Sequence, residues 1–562
     1  MEGNREMALG LGVSPLAVRM IRNRAGMEEE AVRDYLFGGM ESLSDPLLMK
    51  GMREAVELLR RKRDEGAFIR IIGDYDIDGV NAAHILVTGL GRIGARVDTV
   101  IPDRMKDGYG INEHLIREAA EAGVDTIVTC DNGIAAVGEI GFAKELGMTV
   151  VVTDHHEVPY VEGEDKSRLP VLPPADVIVN PKQADCKYPF KKLCGAAVAF
   201  RLVEALYGAE GIEREEVMEL SEFAAVATVG DIMELTGENR ILVRYGLKRL
   251  EQTRNLGYRA LLRVNSLEGK RLTAYHIGFV IGPCINASGR LDTAKRALRL
   301  LGAKDAGEAE ALAGDLKALN DSRKDLTLKG TEEARRQIEG TDLKEDRVLV
   351  VYLPDCHESL AGIIAGRIRE RYYRPCFVLT DGEEGVKGSG RSIEGYHMFD
   401  EMSRVRELFT RYGGHPMAAG LSMERGKVEE LRRRLNENCT LTKEELVPRQ
   451  CYDAVLPISY AGEQLIRELE LLEPFGKGNE KPLFAAGNLR VKSARIIGKN
   501  ANVLKLFLEE ESGAALEALS FGEVQEDLEY IEGRERISIL YYPEINEYMG
   551  KRTVQLVVSG YR

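Results

Sequence analysis

Three aspartates in one short motif are the first candidates for chemistry in this chain. The motif GDYDIDG places Asp74, Asp76 and Asp78 at alternating positions directly after an apolar run. Divalent cations such as Mg²⁺ take several oxygen ligands, so this carboxylate cluster predicts a metal site. There are two alternatives. The aspartates could cap the helix that begins near Asp78, or they could start a calcium loop, although the Glu that ends such a loop is absent.

Two further motifs carry the same kinds of ligand. TCDNG contains Asp131, and TDHH contains His155 and His156, the only adjacent pair among the 8 histidines. Asp231, in VGDIMEL, follows another apolar stretch, although on its own it is more typical of a cap or a turn. Mixed carboxylate and imidazole ligands suit Mn²⁺ best, and Mg²⁺ or Zn²⁺ less well. Together the motifs hold enough ligands for two cations, which in two-metal hydrolases clamp the attacking and leaving oxygens of a phosphoryl group.

The elements that must position these motifs are short strands alternating with helices. Between Phe68 and Val179 the β-rich runs are FIRII, RVDTVI, DTIVT, MTVVVT and DVIVN, separated by stretches of helical length. This alternation predicts an α/β domain with a mostly parallel sheet. In open sheets of this type the ligand site lies beyond the carboxyl ends of the strands. Because the metal-binding motifs follow such ends, we expect their side chains to meet in one pocket.

The length of 562 residues indicates several domains rather than one. Helical and β-rich patterns follow one another along the chain. Between two of these regions lies one long charged stretch rich in Ala, Glu, Leu and Lys, which predicts a rigid helical connector. The predicted boundaries are an N-terminal helical segment (1–65), a catalytic α/β domain (66–304), the connector (305–340), a second α/β domain (341–445) and a β-rich terminal domain (446–562).

Composition excludes several classes of protein. Against 77 basic residues stand 91 acidic ones, a net charge of −14, so any nucleic-acid site must be a local patch. The 8 cysteines form no C-x-x-C pair, which indicates reduced thiols and a cytoplasmic location. The longest tract without charged side chains, Leu272–Gly289, contains Pro283 and several glycines, so we expect it in the protein interior and expect no membrane association.

The order of GDYDIDG, CDNG, TDHH and VGDIMEL resembles the motif series of the DHH phosphoesterase superfamily. The resemblance is closest to its single-strand-specific 5′ exonucleases and extends to IPDRMKDGYGIN, GPCINASGRL, GSGRS, RYGGHPMAAG and LEPFGKGN. It implies a parallel-sheet DHH domain, a second α/β domain called DHHA1 and a C-terminal OB barrel. It also implies two bound Mn²⁺ or Mg²⁺ ions.

The same resemblance implies roles for individual residues. The implied metal ligands are Asp74, Asp76, Asp78, Asp131, His155 and Asp231, with Asp131 bridging the two ions, and all of them except Asp74 join His156 in the catalytic set. Binding of substrate phosphate is implied for Arg104, His156, Arg290, Ser389, Arg391 and His415. Each arginine could instead form a surface ion pair, which is individually the commoner role. The stretch CHESLAGIIAG departs from the family pattern, since His357 is retained without its usual neighbours.

A run of basic residues near the C-terminus points to polymer binding. Between positions 481 and 505 there is no acidic residue, and the cations are Lys481, Arg490, Lys492, Arg495, Lys499 and Lys505. Neutralising the phosphates of a nucleic acid is one use of such a run, and a solvated basic face is the other. Phe475, Phe484 and Phe507 could stack on bases or belong to the core, and core is favoured for Phe507.

Residues and resemblance together predict an enzyme that degrades single-stranded DNA from the 5′ end to 5′-mononucleotides in recombination and repair. One alternative is a DHH phosphodiesterase that acts on short oligonucleotides or cyclic dinucleotides, and another is a non-catalytic DHH scaffold. Single-stranded DNA is the expected partner. Single-strand-binding protein and a helicase are further partner hypotheses.

Overall fold

The computed structural model describes residues 2–562 apart from positions 27, 104–106, 163–167, 383–384, 523 and 549. The chain divides into two compact units. The first comprises Met1–Gly282 together with Cys451–Arg562, and the second comprises Pro283–Gln450. The first unit thus joins two segments of the chain that are far apart in sequence.

The strands and helices have the following bounds. The strands are β1 (Phe68–Ile72), β2 (Arg96–Val100), β3 (Thr126–Cys130), β4 (Thr149–Thr153), β5 (Tyr160–Glu162), β6 (Arg168–Pro170), β7 (Val177–Val179), β8 (Leu349–Tyr352), β9 (Cys376–Gly382), β10 (Gly385–Arg391), β11 (Phe409–Gly414), β12 (Ala418–Met423), β13 (Ala454–Val455), β14 (Phe484–Ile497), β15 (Val503–Glu509), β16 (Ala515–Phe521), β17 (Arg536–Tyr548) and β18 (Lys551–Tyr561). The helices are α1 (Glu2–Leu11), α2 (Pro15–Ala25), α3 (Glu29–Phe37), α4 (Met52–Asp64), α5 (Ile77–Arg92), α6 (Glu113–Glu121), α7 (Val137–Glu145), α8 (Gly195–Glu210), α9 (Arg214–Met218), α10 (Ser221–Gly230), α11 (Gly237–Glu251), α12 (Leu256–Val264), α13 (Ala274–His276), α14 (Gly282–Leu291), α15 (Lys295–Leu301), α16 (Ala306–Gly340), α17 (Glu358–Tyr372), α18 (Met398–Ser403), α19 (Val428–Asn438), α20 (Glu463–Glu470) and α21 (Val524–Ile531).

A parallel five-stranded sheet organises the first unit, in the order β2-β1-β3-β4-β7. Its strands are the five runs predicted from the sequence. Every residue of β3 is buried, as expected of a parallel sheet with both faces covered. The chain moves from β1 to β2 on one side and reaches β3 on the other, so the strand order reverses between β1 and β3. Ligands of open α/β sheets bind at such a switch point.

The C-terminal segment of the first unit forms a six-stranded sheet in which five strands close into a barrel and the short β13 pairs with β14 alone. Its strand order is β13-β14-β15-β16-β18-β17, and pairing of β14 with β17 closes it. The helices α1 to α3 share the core of this barrel, to which they contribute Leu11, Met20, Ile21, Val32, Tyr35 and Leu36. An amphipathic helix needs a surface on which to bury its apolar face, and the barrel supplies it.

The second unit has its own mixed sheet, in the order β11-β12-β10-β9-β8. Only the β8–β9 pair within it is parallel. The predicted connector is a single helix of 35 residues, α16, whose end packs Ala334 and Ile338 into the core beneath α17. The sheet and α17 form the scaffold that carries the GSGRS motif.

One expectation about burial was wrong and another held only in part, since most but not all of the tract Leu272–Gly289 is buried. Tyr275 and Phe279, in the tract expected to be interior, are 62% and 66% exposed, and their rings stack with centroids 4.9 Å apart. Phe507 is 39% exposed because it lies on the outward face of β15, where its neighbours Leu506 and Leu508 point into the barrel. The lack of charged residues did not predict the exposure of Tyr275 and Phe279, and the apolar run did not predict the exposure of Phe507. Neither pattern tells which side of a surface element faces solvent. No helix in the described part of the chain is long and apolar enough to cross a membrane.

Candidate metal centre and substrate-binding residues

The carboxyl ends of β1, β3 and β4 bring the acidic and imidazole motifs together. Seven side chains form three overlapping groups, and in each group one potential ligand atom per residue lies within 4.8 Å of the others. The groups are Asp74, Asp76 and Asp131; Asp78, His155 and Asp231; and Asp131, His155 and His156. Asp231 reaches the pocket from the end of α10, outside the sheet. The tertiary structure therefore gathers every residue predicted for the metal site.

Asp78 is fixed by the start of helix α8. Its two carboxylate oxygens accept hydrogen bonds of 2.7 Å from the backbone N–H groups of Gly195 and Ala196, and the residue is completely buried. The N-terminus of a helix stabilises negative charge. A β-carbon at position 195 would lie 2.6 Å from Cβ of Asp131, so this close approach needs glycine.

Asp76 is the N-cap of helix α5, which was the structural alternative for this motif. Its Oδ1 accepts hydrogen bonds from the N–H groups of Asp78 and Gly79 at 2.9 and 3.1 Å. Capping occupies one carboxylate oxygen, and Asp76 still belongs to a group with Asp74 and Asp131. The two functions considered for this residue are therefore compatible.

His155 points one ring nitrogen at three carboxylates. Its Nε2 lies 3.0 Å from Asp131 Oδ1, 3.5 Å from Asp78 Oδ2 and 3.8 Å from Asp231 Oδ2. Despite this proximity, neither Asp131 Oδ1 nor His155 Nδ1 makes a hydrogen bond with any described residue, although both atoms are buried. Buried polar atoms without a partner are rare in proteins and call for an explanation.

The electrostatics of the centre favour a bound cation. Burial raises the pKa of Asp74 and of Asp231 to about 8, and repulsion from neighbouring carboxylates adds to both shifts. Burial, followed by the charges of Asp78, Asp76 and Asp74, likewise raises the pKa of Asp131. Carboxylates that crowd together in this way lose free energy by ionising. Divalent cations bound among them would remove that cost and satisfy the unpartnered oxygen of Asp131, so the residues present fit the metal.

Two residues that were not predicted as part of the site, Asp154 and Tyr109, contact His156. Asp154 is buried, and its Oδ1 accepts the backbone N–H of His156 and lies 2.8 Å from Nδ1 of the same ring. Burial lowers the pKa of His156, but the contact with Asp154 and the surrounding carboxylates outweigh it and raise the pKa overall. The hydroxyl of Tyr109 donates to the carbonyl of Asp131 at 2.8 Å and lies 3.3 Å from Nε2 of His156. Tyr109 belongs to the quoted motif IPDRMKDGYGIN, and Asp154 to TDHH, so both were visible in the sequence.

Backbone strain is concentrated at the same place. Asp131 and Ile232 have φ angles of 62° and 56°. A β-branched residue such as Ile232 adopts this left-handed conformation at a cost, and strain of this kind clusters at functional sites. One strained residue is the candidate bridging ligand and the other directly follows Asp231.

Three of the predicted phosphate-binding residues meet at the first turns of α17 in the second unit. Arg290 donates to the carbonyl of Ser359 at 2.9 Å. A β-carbon at Gly362 would lie 2.8 Å from Nη2 of Arg391 and 3.4 Å from Oγ of Ser389, so this glycine makes room for both. Burial, together with the charge of nearby Arg369, lowers the pKa of Arg391. Cations gathered at a helix N-terminus form an environment suited to anions.

His415 lies just beyond the end of β11, near the sheet end that carries Arg391. Its side chain is exposed, and its backbone N–H donates to the carbonyl of Ala418, the residue that pairs with Arg391 in the sheet. Arg104 lies outside the described residues. His357, the retained residue of the divergent loop, is the N-cap of α17, where its Nδ1 accepts the N–H of Ser359.

Three of the six basic residues in the run 481–505 form ion pairs with glutamates of the barrel domain. Lys492, Lys505 and Arg490 form ion pairs with Glu509, Glu517 and Glu535 at 3.2, 2.7 and 3.6 Å. These glutamates come from other parts of the barrel sequence, so the local sequence did not reveal them. The ammonium of Lys481 lies 4.2 Å from the ring centre of Tyr542. Arg495 and Lys499 are exposed and have no ion pair with a described residue.

The chain matches three family models: the N-terminal domain of the DHH family over residues 68–230, the DHHA1 domain over 345–440 and the RecJ OB domain over 452–560. It is 38% identical over 555 residues to the single-stranded-DNA-specific exonuclease RecJ of Bacillus subtilis, an alignment that covers 98% of this chain and 68% of that protein. The chain belongs to the RecJ family. The predicted fold class, with DHH, DHHA1 and OB domains and a helical connector, is confirmed.

Two solved RecJ structures from Thermus thermophilus have the same fold. The complex with Mn²⁺ matches with a TM-score of 0.82 at 30% identity and covers 100% of this chain and 77% of that one. The complex with Mg²⁺ matches with a TM-score of 0.78 at 28% identity, covering 100% and 76%. The predicted pair of alternative metals is thus seen in relatives of this RecJ-family chain.

Proposed function

We propose that this RecJ-family protein is a metal-dependent exonuclease that degrades single-stranded DNA in the 5′ to 3′ direction and releases 5′-mononucleotides. Homologues over nearly the full chain that are named single-stranded-DNA-specific exonucleases support the substrate class. The observation that carries the chemistry is the gathering of seven carboxylate and imidazole side chains around Asp131 and His155. Recombination and repair are the processes in which such an activity is used.

Two divalent cations, Mn²⁺ or Mg²⁺, are the proposed cofactors. The proposed ligands are Asp74, Asp76, Asp78, Asp131, His155 and Asp231, with Asp131 shared because it belongs to two of the three groups. When bound, such ions activate water and neutralise the charge of a phosphoryl group during in-line displacement. The N-terminus of α8 fixes the orientation of the Asp78 carboxylate through two backbone hydrogen bonds.

Other residues of the chain have the proposed task of holding the substrate. His156, oriented by its contact with Asp154, donates a hydrogen bond to the phosphate under attack. Arg290, Ser389 and Arg391 bind phosphate in the second unit, and Arg104 and His415 complete the proposed set. On the barrel the exposed cations Arg495 and Lys499 contribute most, because the remaining basic residues of the run already contact glutamates or Tyr542.

Location and partners form part of the same proposal. We propose single-stranded DNA as the main partner and the cytoplasm as the place of action, where all eight cysteines stay free thiols. Single-strand-binding protein and a helicase would supply and present the strand.

Digestion of end-labelled DNA tests the proposal. One strand carries a label at the 5′ end and an otherwise identical strand carries it at the 3′ end. Each is incubated with Mn²⁺, with Mg²⁺ or with a chelator, alongside the matching duplex. We expect immediate release of labelled mononucleotide from the 5′-labelled strand and progressive shortening of the 3′-labelled one. Cleavage in the presence of chelator, or release starting at the 3′ end, would contradict the proposal.

A phosphodiesterase for short oligonucleotides or cyclic dinucleotides is the second candidate. The presence of a closed barrel with exposed cations disfavours it, since a substrate of two nucleotides needs no additional strand-binding surface. Turnover of a dinucleotide, a cyclic dinucleotide and a long strand under identical conditions separates the two candidates. We expect kcat/KM to be highest for the long strand.

A further inference from the structure

The LEPFGKGN motif has no task in the function proposed so far, although it lies against the metal centre. Its residues form the loop 471–479, which precedes β14 of the barrel and contacts the segment that follows Asp231. The inference drawn from this contact rests on the proposed function. It concerns a residue that the resemblance did not assign.

A buried arginine anchors the loop. Arg240 of α11 is 2% exposed and donates hydrogen bonds to the carbonyls of Leu471, Glu473 and Tyr35, while its guanidinium covers the ring of Tyr35 at 3.9 Å. Asn479 closes the loop from the other end. It is completely buried and donates to the carbonyls of residues 472 and 474. A loop with both ends fixed in this way has a defined position on the catalytic domain.

The tip of the loop is a tight turn that docks directly behind Asp231. Gly476 and Asn479 exchange backbone hydrogen bonds of 3.0 Å, and the carbonyl of Lys477 accepts the N–H of Leu235 at 2.8 Å. A β-carbon at Gly476 would lie 2.7 Å from Cδ1 of Leu235, so the turn approaches as closely as its residues allow. Leu235 belongs to VGDIMEL, the motif that contains Asp231. Lys477 therefore stands at the edge of the carboxylate centre.

The side chain of Lys477 is exposed and has no ion pair with any described residue. The acidic residue nearest in the docked segment, Glu234, already forms an ion pair with Lys192 at 2.6 Å. The backbone of Lys477 contacts Leu235, four residues after Asp231. A cation without an ion pair among the described residues is thus held beside the segment that follows Asp231, in a position open to a polyanion.

We propose that Lys477 binds a backbone phosphate of the DNA strand beside Asp231, so that the loop 471–479 completes the substrate-binding surface of the catalytic centre. A flexible ammonium suits this role because it can follow a phosphate that moves as the strand advances. Lys477 contacts substrate and is not a metal ligand. Its removal should affect binding of the strand more than the chemical step.

The test compares the full-length protein with Lys477→Gln and Lys477→Arg, and uses Lys551→Gln as the matched control. Lys551 is an exposed lysine of the same barrel, at the start of β18, and has no ion pair with a described residue. Binding of a fluorescently labelled, 5′-phosphorylated oligothymidylate is measured with chelator present over a range of NaCl concentrations. Steady-state hydrolysis of the same strand is measured with Mn²⁺. Thermal unfolding and Mn²⁺ affinity without DNA are recorded for every variant.

Lys477→Gln is expected to weaken strand binding about 3- to 10-fold, the size of one exposed charged contact, and to reduce the slope of log Kd against log[salt] by about 0.7. KM should rise by a similar factor while kcat changes less than about 2-fold, because the contact holds the strand in ground state and transition state alike. Lys477→Arg should restore binding, and Lys551→Gln should match the unmodified protein. Thermal unfolding and Mn²⁺ affinity should not change.

Unchanged binding and salt dependence in Lys477→Gln would overturn the inference. So would a change in Mn²⁺ affinity without any change in strand binding, because Lys477 would then act through Asp231. If the unmodified protein bound the strand but hydrolysed none with Mn²⁺, the proposed function would fail instead. The chelator experiment would still report on Lys477 in that case, so the two failures are distinguishable.

Discussion

Two buried charged clusters of the first unit differ in how their charge is balanced. The guanidinium of Arg240 donates to three backbone carbonyls and stacks on an aromatic ring. Burial lowers the pKa of Arg240 only to about 10, so the group stays charged at neutral pH. The metal centre holds five aspartates, and burial together with neighbouring carboxylates raises the pKa of four of them, Asp74, Asp76, Asp131 and Asp231. Its Asp131 Oδ1 has no hydrogen-bond partner among the described residues.

The difference separates a charge that the chain itself balances from one that it leaves unbalanced. Arg240 joins three elements and needs nothing from outside, which is the arrangement of a structural residue. The carboxylates repel one another, and the backbone N–H groups that bond to Asp76 and Asp78 do not reach Oδ1 of Asp131, so their folded arrangement is costly until a cation arrives. Breaking the first cluster should therefore cost stability, whereas breaking the second should cost activity.

Replacement of Asp131 should have the largest effect. Asp131→Ala removes one of the two residues that are shared between ligand groups, and we expect kcat/KM for a single strand to fall at least about 10³-fold. Strand binding in chelator should remain, because Asp131 is a proposed metal ligand and not a phosphate-binding residue. Glu121→Ala, which removes an exposed carboxylate from the end of α6, is the matched control. Undiminished hydrolysis by Asp131→Ala would refute the assignment of the site.

Replacement of Arg240 should have the opposite profile. Arg240→Ala leaves three carbonyls without this donor, the one of Tyr35 buried and the others partly buried, and a cavity beside Tyr35, so the free energy of unfolding should fall by about 3–5 kcal/mol. Urea unfolding measures the loss. The exposed Arg259 offers the control, since Arg259→Ala should stay within about 0.5 kcal/mol. If Arg240→Ala lowered the free energy of unfolding only slightly, the proposed structural role of Arg240 would be wrong.

Addition of Mn²⁺ sharpens the comparison, because only one cluster should respond. At 100 times its dissociation constant, an ion that binds the folded state alone adds about 2.7 kcal/mol to the free energy of unfolding. We expect this gain in the unmodified protein and in Arg240→Ala, and its loss in Asp131→Ala. Unfolding with Mn²⁺ and with chelator provides the measurement. A gain that persists in Asp131→Ala would place the ion elsewhere.

The smallest expected effect concerns Glu222, a buried carboxylate that accepts a hydrogen bond from Thr253. Its Oε1 accepts the hydroxyl of Thr253 at 2.7 Å, and burial raises its pKa to about 7. The unfolded chain ionises Glu near pH 4.3. The folded state therefore binds the proton more tightly, so its stability contribution is complete below that pH and is lost as the pH rises through about 7.

Glu222→Gln does not titrate, so it should gain about 1–3 kcal/mol relative to the unmodified protein between pH 5 and pH 8. Urea unfolding at the two pH values measures the difference. A difference between the two proteins that does not depend on pH would show that the burial of Glu222 carries no electrostatic cost.

Much of the centre was predictable because its signals are local. The acidic motifs follow apolar runs, and the carboxyl ends of parallel strands share one edge, so Asp76, Asp131 and His155 were expected together. The domain boundaries remain predictions. The pairing of Lys492 and Lys505 with glutamates of β15 and β16 could not be foreseen from the run between positions 481 and 505. Cross-strand neighbours are set by register, which depends on the closure of the barrel.

The amino-acid sequence by itself determined the alternating α/β pattern, the set of metal-ligand types and the membership of the family, since each depends on residues close together in the chain or on their order. Only the tertiary structure decided that Tyr109 lies against His156, that α8 holds Asp78 and that the loop with Lys477 contacts Leu235, which follows Asp231 in the chain. These contacts join segments separated by tens to hundreds of residues. Their geometry follows from how sheets, helices and barrel pack, which no local pattern encodes.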